Sequence, residues 1–127
     1  MALVLADTSV WVAHFRSANP TLTALLEADQ ALCHPMVVLE IACGTPPSPR
    51  ARTLADLQKL QQAVVATTTE TLDLITRERL YDSGCGAVDV ALLAATLLTP
   101  SARLWTLDKK LCALAKRLGV GFDATKR

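Results

Sequence analysis

Four carboxylates stand in marked surroundings along this chain. Asp7 ends the apolar run Leu3 to Ala6, Glu40 lies among Val38, Leu39, Ile41 and Ala42, Asp89 is the only charge between Ala87 and Thr99, and Asp108 heads the segment that begins at Lys109. A lone buried carboxylate is neutralised or costs several kcal/mol, and converging carboxylates raise one another's pKa unless a cation joins them. An acid cluster therefore implies a metal. Oxygen ligands without His or Cys suit the hard ions Mg²⁺ or Mn²⁺, which keep several waters and bridge to phosphate oxygens. Phosphate-ester chemistry is the natural use of such a site.

Taken singly, each acid has a plainer account. Asp7 and Asp108 can cap the helices that follow them, Glu40 can lie on a surface, and Asp89 can interact with a helix dipole from the first turn. Only the four together demand a cation. Asp123 also follows an apolar run, but it sits near the chain end and ranks below the others.

The positioning elements follow from the hydrophobic pattern. Leu3 to Ala6 reads as a parallel strand buried on both faces, and Ala31 to His34, Ala63 to Thr67, Arg103 to Thr106 and Val120 to Phe122 read as further short strands. Helices are predicted over Val10 to Phe15, from Pro20 to Ala28, and from Pro35 to a stop at Gly44. Others are expected over Arg50 to Gln62, from about Glu70 to Tyr81, over Ala87 to Thr99 (buried nearly all round) and from Lys109 to Leu118, where Gly119 caps the end. Alternating strands and helices give an α/β fold with a parallel sheet between helical layers. Sites in such folds form outside the carboxyl ends of the strands, where Asp7 and Asp108 fall. Glu40 and Asp89 each lie within two turns of a helix start and can point to the same edge.

Length and composition agree. At 127 residues and 51% apolar, the chain is expected to form one domain spanning residues 1–127. Aromatics are too few for a base-stacking platform, and a net charge of +1 leaves no general basic footprint. The scattered Cys33, Cys43, Cys85 and Cys112 read as reduced core residues. Zinc would want close Cys or His pairs, whereas neighbouring Cys33 and His34 point to opposite faces of a strand and His14 stands alone. The start lacks a basic signal-peptide region, and Asp89 and Pro100 interrupt the longest apolar stretch, so a soluble cytoplasmic protein without a membrane span is expected. The Lys126-Arg127 tail is expected to be mobile.

Four segments carry a family likeness: Asp7-Thr8-Ser9-Val10-Trp11 after a strand, Glu40-Ile41-Ala42-Cys43-Gly44, Asp89-Val90-Ala91-Leu92-Leu93-Ala94-Ala95, and Trp105-Thr106-Leu107-Asp108-Lys109-Lys110-Leu111. In this order and spacing the chain resembles PIN-domain proteins, in particular VapC-type toxins of toxin–antitoxin pairs. The resemblance implies a three-layer α/β/α sandwich around four to five short parallel strands. It implies Asp7, Glu40, Asp89 and Asp108 as metal-site acids, with Thr106 and Thr8 or Ser9 as hydroxyl partners. It further implies hydrolysis of RNA phosphodiesters by hydroxide generated at one or two Mg²⁺ ions, a homodimer, and an antitoxin that blocks the site. Arg50, Arg52, Lys109 and Lys110 could hold RNA phosphates or serve as solvated helix faces. Leu111, where many relatives carry an aromatic residue, and Cys85, before Asp89, depart from the pattern. Pro46 to Gly84 matches it only in length and helical character.

Other readings fit less well. A haloacid-dehalogenase-type phosphatase needs a D-x-D pair, and Ser9 stands where the second acid belongs. A response receiver wants an acidic pair after the first strand and a phosphorylated Asp after the third. An idle PIN fold acting only as a binding module is the alternative from another class, and the presence of all four acids argues against it. The many Leu and Ala residues on nearly every helix leave more apolar surface than one small core hides, which suits a dimer or a bound partner.

Overall fold

The structure is a computed structural model and describes residues 2–125; Met1 and the Lys126-Arg127 tail lie outside the described residues. Four strands, β1 (Leu3–Ala6), β2 (Ala31–Cys33), β3 (Gln61–Gln62) and β4 (Ala102–Trp105), pair in parallel in the order β3-β2-β1-β4. β1 is central: it runs in register with β4 from Leu3 opposite Ala102 to Ala6 opposite Trp105, and with β2 through Val4–Ala31 and Leu5–Leu32. That explains its uninterrupted apolar sequence, since a strand flanked on both sides and covered on both faces has no side for polar residues.

The helices are α1 (Thr8–Arg16), α2 (Pro20–Glu27), α3 (Pro35–Cys43), α4 (Arg50–Lys59), α5 (Thr68–Arg77), α6 (Ala87–Leu98) and α7 (Lys109–Arg117). Pairs of helices link successive strands. From β1 the chain steps outward to β2 and β3, then returns to place β4 on the other side of β1. The reversal creates a crevice at the carboxyl ends of β1 and β4, the position at which doubly wound sheets bind ligands. Leu5, Leu32, Leu92, Leu93, Leu104 and Leu111 are fully buried, and each such side chain contributes about 1.5–3 kcal/mol relative to exposure.

Several sequence expectations need correcting. The third strand is Gln61–Gln62 rather than Ala63 to Thr67. Ala63 N–H still donates to Cys33 O at 2.9 Å, but Val64 N–H turns to Thr99 Oγ1 at 2.8 Å, so the backbone leaves the sheet there. The expected last strand is a single bridge, Leu104 to Gly121, fixed by Leu104 N–H to Val120 O and Phe122 N–H to Leu104 O. α5 begins earlier than Glu70, because Thr67 and Glu70 form a reciprocal capping box that sets its start. α6 is buried from Leu92 to Thr96, yet Leu97 and Leu98 are about 40% exposed at 40% and 41%, so the helix emerges at its end. Of the cysteines only Cys33 is a core residue. Cys43 ends α3, Cys112 lies on the outer face of α7, both are exposed, and Cys85 is partly so.

Candidate active site

Asp7 follows β1 and is only 6% exposed. Its Oδ1 accepts from Val10 N–H at 3.2 Å, which caps α1, and from the Ser9 hydroxyl at 2.5 Å. Its Oδ2 accepts from the Thr106 hydroxyl just after β4. The cap holds the Asp7 carboxylate at the carboxyl end of β1, beside the loop after β4. Ser9 Oγ also accepts from Leu107 N–H at 3.0 Å, and Thr106 Oγ1 from Asp108 N–H at 3.0 Å. These bonds lock the loop after β4 to the loop after β1.

Asp108 is exposed and caps α7 through Oδ1, which accepts from Leu111 N–H at 2.9 Å. Glu40 is an exposed residue of α3 whose Oε1 accepts from the Thr8 hydroxyl at 2.5 Å. The adjacent hydroxyls of Thr8 and Ser9 therefore divide their work, Thr8 holding Glu40 and Ser9 holding Asp7. Sequence reasoning left that choice open because it depends on how α3 lies against α1.

Asp89 occupies the first turn of α6, after Gly86, which offers no capping side chain. Burial pushes its carboxyl above the ordinary range, and the charges of Asp108, Asp7 and Glu40 push it the same way, while a hydrogen bond from the Gly86 backbone acts against them. One carboxyl thus feels the other three. Among the described residues no three His, Cys, Asp or Glu side chains form a ready metal cage. A small hard cation such as Mg²⁺ keeps several waters and takes only one or two protein carboxylates directly, so it does not require such a cage.

Asp123 Oδ1 accepts from Thr125 N–H at 2.9 Å and from the Thr125 hydroxyl at 2.6 Å in a local turn. The two histidines are used locally as well. His14 Nδ1 accepts from Asn19 N–H at 2.9 Å, and His34 Nδ1 accepts from Met36 N–H at 3.0 Å as the cap of α3. Burial lowers the pKa of His34 and so favours its neutral form. Cys85 lies close enough to Asp89 and Asp108 for both charges, added to burial, to raise its thiol pKa. Beside Glu40, a cleft of about 410 Å³ is lined by Val12, Phe15, Arg16, Ile41 and Gly44 among others.

Residues 4–117 match the PIN domain family. The chain belongs to that family. The PIN match takes in β1 through α7 and thus all four acids. This PIN chain is 45% identical over 118 residues to Ribonuclease VapC32 of Mycobacterium tuberculosis, in both strain CDC 1551 / Oshkosh and strain H37Rv, covering 93% of this chain and 94% of each relative. It shares its PIN fold with a chain in the crystal structure of DNA-bound VapBC from Salmonella typhimurium, with a TM-score of 0.60 and 14% identity over 84% of this chain and 86% of that one.

Proposed function

We propose that this PIN protein is a metal-dependent endoribonuclease, the toxin of a toxin–antitoxin pair, with Asp7, Glu40, Asp89 and Asp108 as the acids of an Mg²⁺ or Mn²⁺ centre. The observation that carries the reading is the field at Asp89: three further carboxylates bear on one partly buried carboxyl, an arrangement that is repulsive by itself and is relieved by a divalent cation. High identity to a ribonuclease over nearly the full length supports RNA as the substrate.

Asp7 is the best-fixed acid. With Ser9, Val10 and Thr106 all donating to it, its oxygens are oriented before any ion arrives. Thr8, next to Asp7 at the start of α1, orients Glu40, and Asp108 is held by its bond to Leu111 N–H. Burial and the charges of Asp108, Asp7 and Glu40 all raise the Asp89 carboxyl, and a bound divalent cation would relieve that repulsion. A bound Mg²⁺ or Mn²⁺ supplies an activated water and stabilises charge on the leaving oxygen of the phosphodiester. The protein contributes positioning and an electrostatic field, with no covalent nucleophile.

The apolar cleft beside Glu40 suits an apolar segment of an antitoxin, which would block the site by lying against one of its acids. The exposed Leu39, Val65 and Leu72, each more than half accessible, suit a homodimer. Among the described residues no helix is long and apolar enough to cross a membrane.

The deciding experiment is cleavage of a labelled total-RNA pool by wild-type and Asp7→Asn protein, each with Mg²⁺, with Mn²⁺ and with EDTA. The expected result is cutting by the wild type that needs metal and is lost in the variant. Equal cutting by both proteins, or none by either, would overturn the reading.

A further inference from the structure

Resting on the nuclease reading above, we infer that Lys110 is a substrate-positioning residue, its ammonium laid across Gly84 at the rim of the acid centre to hold a phosphate of the RNA strand beside the one that is cut. Gly84 has φ +85°, and a Cβ placed on it would lie 2.8 Å from Lys110 Cδ and 2.9 Å from Nζ. The lysine arm thus runs over the glycine, whose left-handed backbone favours a residue without a side chain. Gly84 belongs to the loop that leads into the first turn of α6, where Asp89 stands. The next residue, Cys85, lies near enough to Lys110, Asp89 and Asp108 for all three charges to act on its thiol. The ammonium and the two acids therefore lie near the same short stretch of loop.

Despite that proximity Lys110 pairs with none of them. Among the described residues the ion pairs are Arg52–Asp56 and Arg77–Glu78, and Lys110 is exposed. Helix stability does not account for it either. Lys110 is the second residue of α7, whose first turn holds no acid, and a cation at the positive end of a helix dipole is unfavourable. A cation left unpaired at the edge of four carboxylates fits a polyanion that must approach them. The chain's net charge of +1 gives little general attraction, and a mobile ammonium with three donors suits a phosphate oxygen.

The test measures binding of a short fluorescein-labelled RNA of random sequence to wild-type, Lys110→Met and Lys110→Arg proteins over a salt series in EDTA. Cleavage of the same RNA with Mg²⁺ and Mn²⁺ by these proteins and by Asp7→Asn is followed in parallel. Methionine keeps the arm over Gly84 and removes the charge. The expected result is binding roughly fivefold weaker for Lys110→Met, a salt slope reduced by about 0.7, a raised KM with little change in kcat, and near-wild-type behaviour for Lys110→Arg. Equal melting temperatures will show that the fold is intact. Wild-type affinity and slope in Lys110→Met, or an equal loss in Lys110→Arg, beside Asp7-dependent cutting, would overturn this contact alone. Absence of metal-dependent cutting by the wild type would overturn the nuclease reading and this one with it.

Discussion

Thr106 and Asp7, 99 residues apart in sequence, share a hydrogen bond in which the threonine hydroxyl donates to Asp7 Oδ2. The two follow the last paired residues of adjacent strands, Trp105 and Ala6, so the register of β1 on β4 brings them together. The same hydroxyl accepts from Asp108 N–H, which ties two of the proposed metal acids to one side chain. Thr106→Val keeps the shape and removes the bond. It is expected to weaken Mn²⁺ binding and cleavage by about 10–100-fold and to cost roughly 1–3 kcal/mol of stability through the buried Asp7. Metal titration and urea unfolding would check this, and an unchanged metal affinity would refute a positioning role for Thr106.

Asp7→Asn keeps a good helix cap and most of the local hydrogen bonds while removing the charge. Cleavage should fall further than in Thr106→Val, beyond the roughly 100-fold expected for loss of an outer partner, with little change in melting temperature. Kinetics on one RNA with both variants would rank them. The reverse order would move the centre away from Asp7.

Asp89 sets a pH dependence. Its carboxyl in the fold lies above the ordinary 3.8, from burial first and then from Asp108, Asp7 and Glu40. The folded state therefore binds this proton more tightly than the unfolded chain. In EDTA the associated stability is fully present below 3.8 and is lost as pH rises through the raised folded value. Asp89→Asn should remove this part of the pH dependence, and divalent metal should offset the loss at neutral pH. Melting curves across pH, with and without Mn²⁺, give the comparison; a wild-type slope in the variant would count against the assignment.

The exposed Leu39, Val65 and Leu72 lead to an expected solution mass of twice the 13.6 kDa of one chain. Light scattering at micromolar concentration measures it directly. A compact monomer of single-chain mass would remove the homodimer from the proposal.

The sequence by itself determined that β1 is a strand buried on both faces and where most helices lie, and it singled out the four acids proposed for the site. These depend on local signals: the unbroken apolar run of β1, Pro20 and Pro35 at helix starts, Gly44 after α3, and Asp7 and Asp108 at positions that cap helices. Edges were less legible. Gln61–Gln62 carries no apolar pattern because it pairs on one side only, and the Val64 backbone is claimed by Thr99, 35 residues away. The split between exposed and buried cysteines was likewise hidden, since helix periodicity alone does not say which face meets the core. At the site, the tertiary structure decided that Thr8 serves Glu40 and Ser9 serves Asp7, and that three distant charges act on Asp89. It also placed the Lys110 arm over Gly84. Such relations arise where loops from separate strands meet at the reversal of strand order, and a linear sequence holds the residues without their distances.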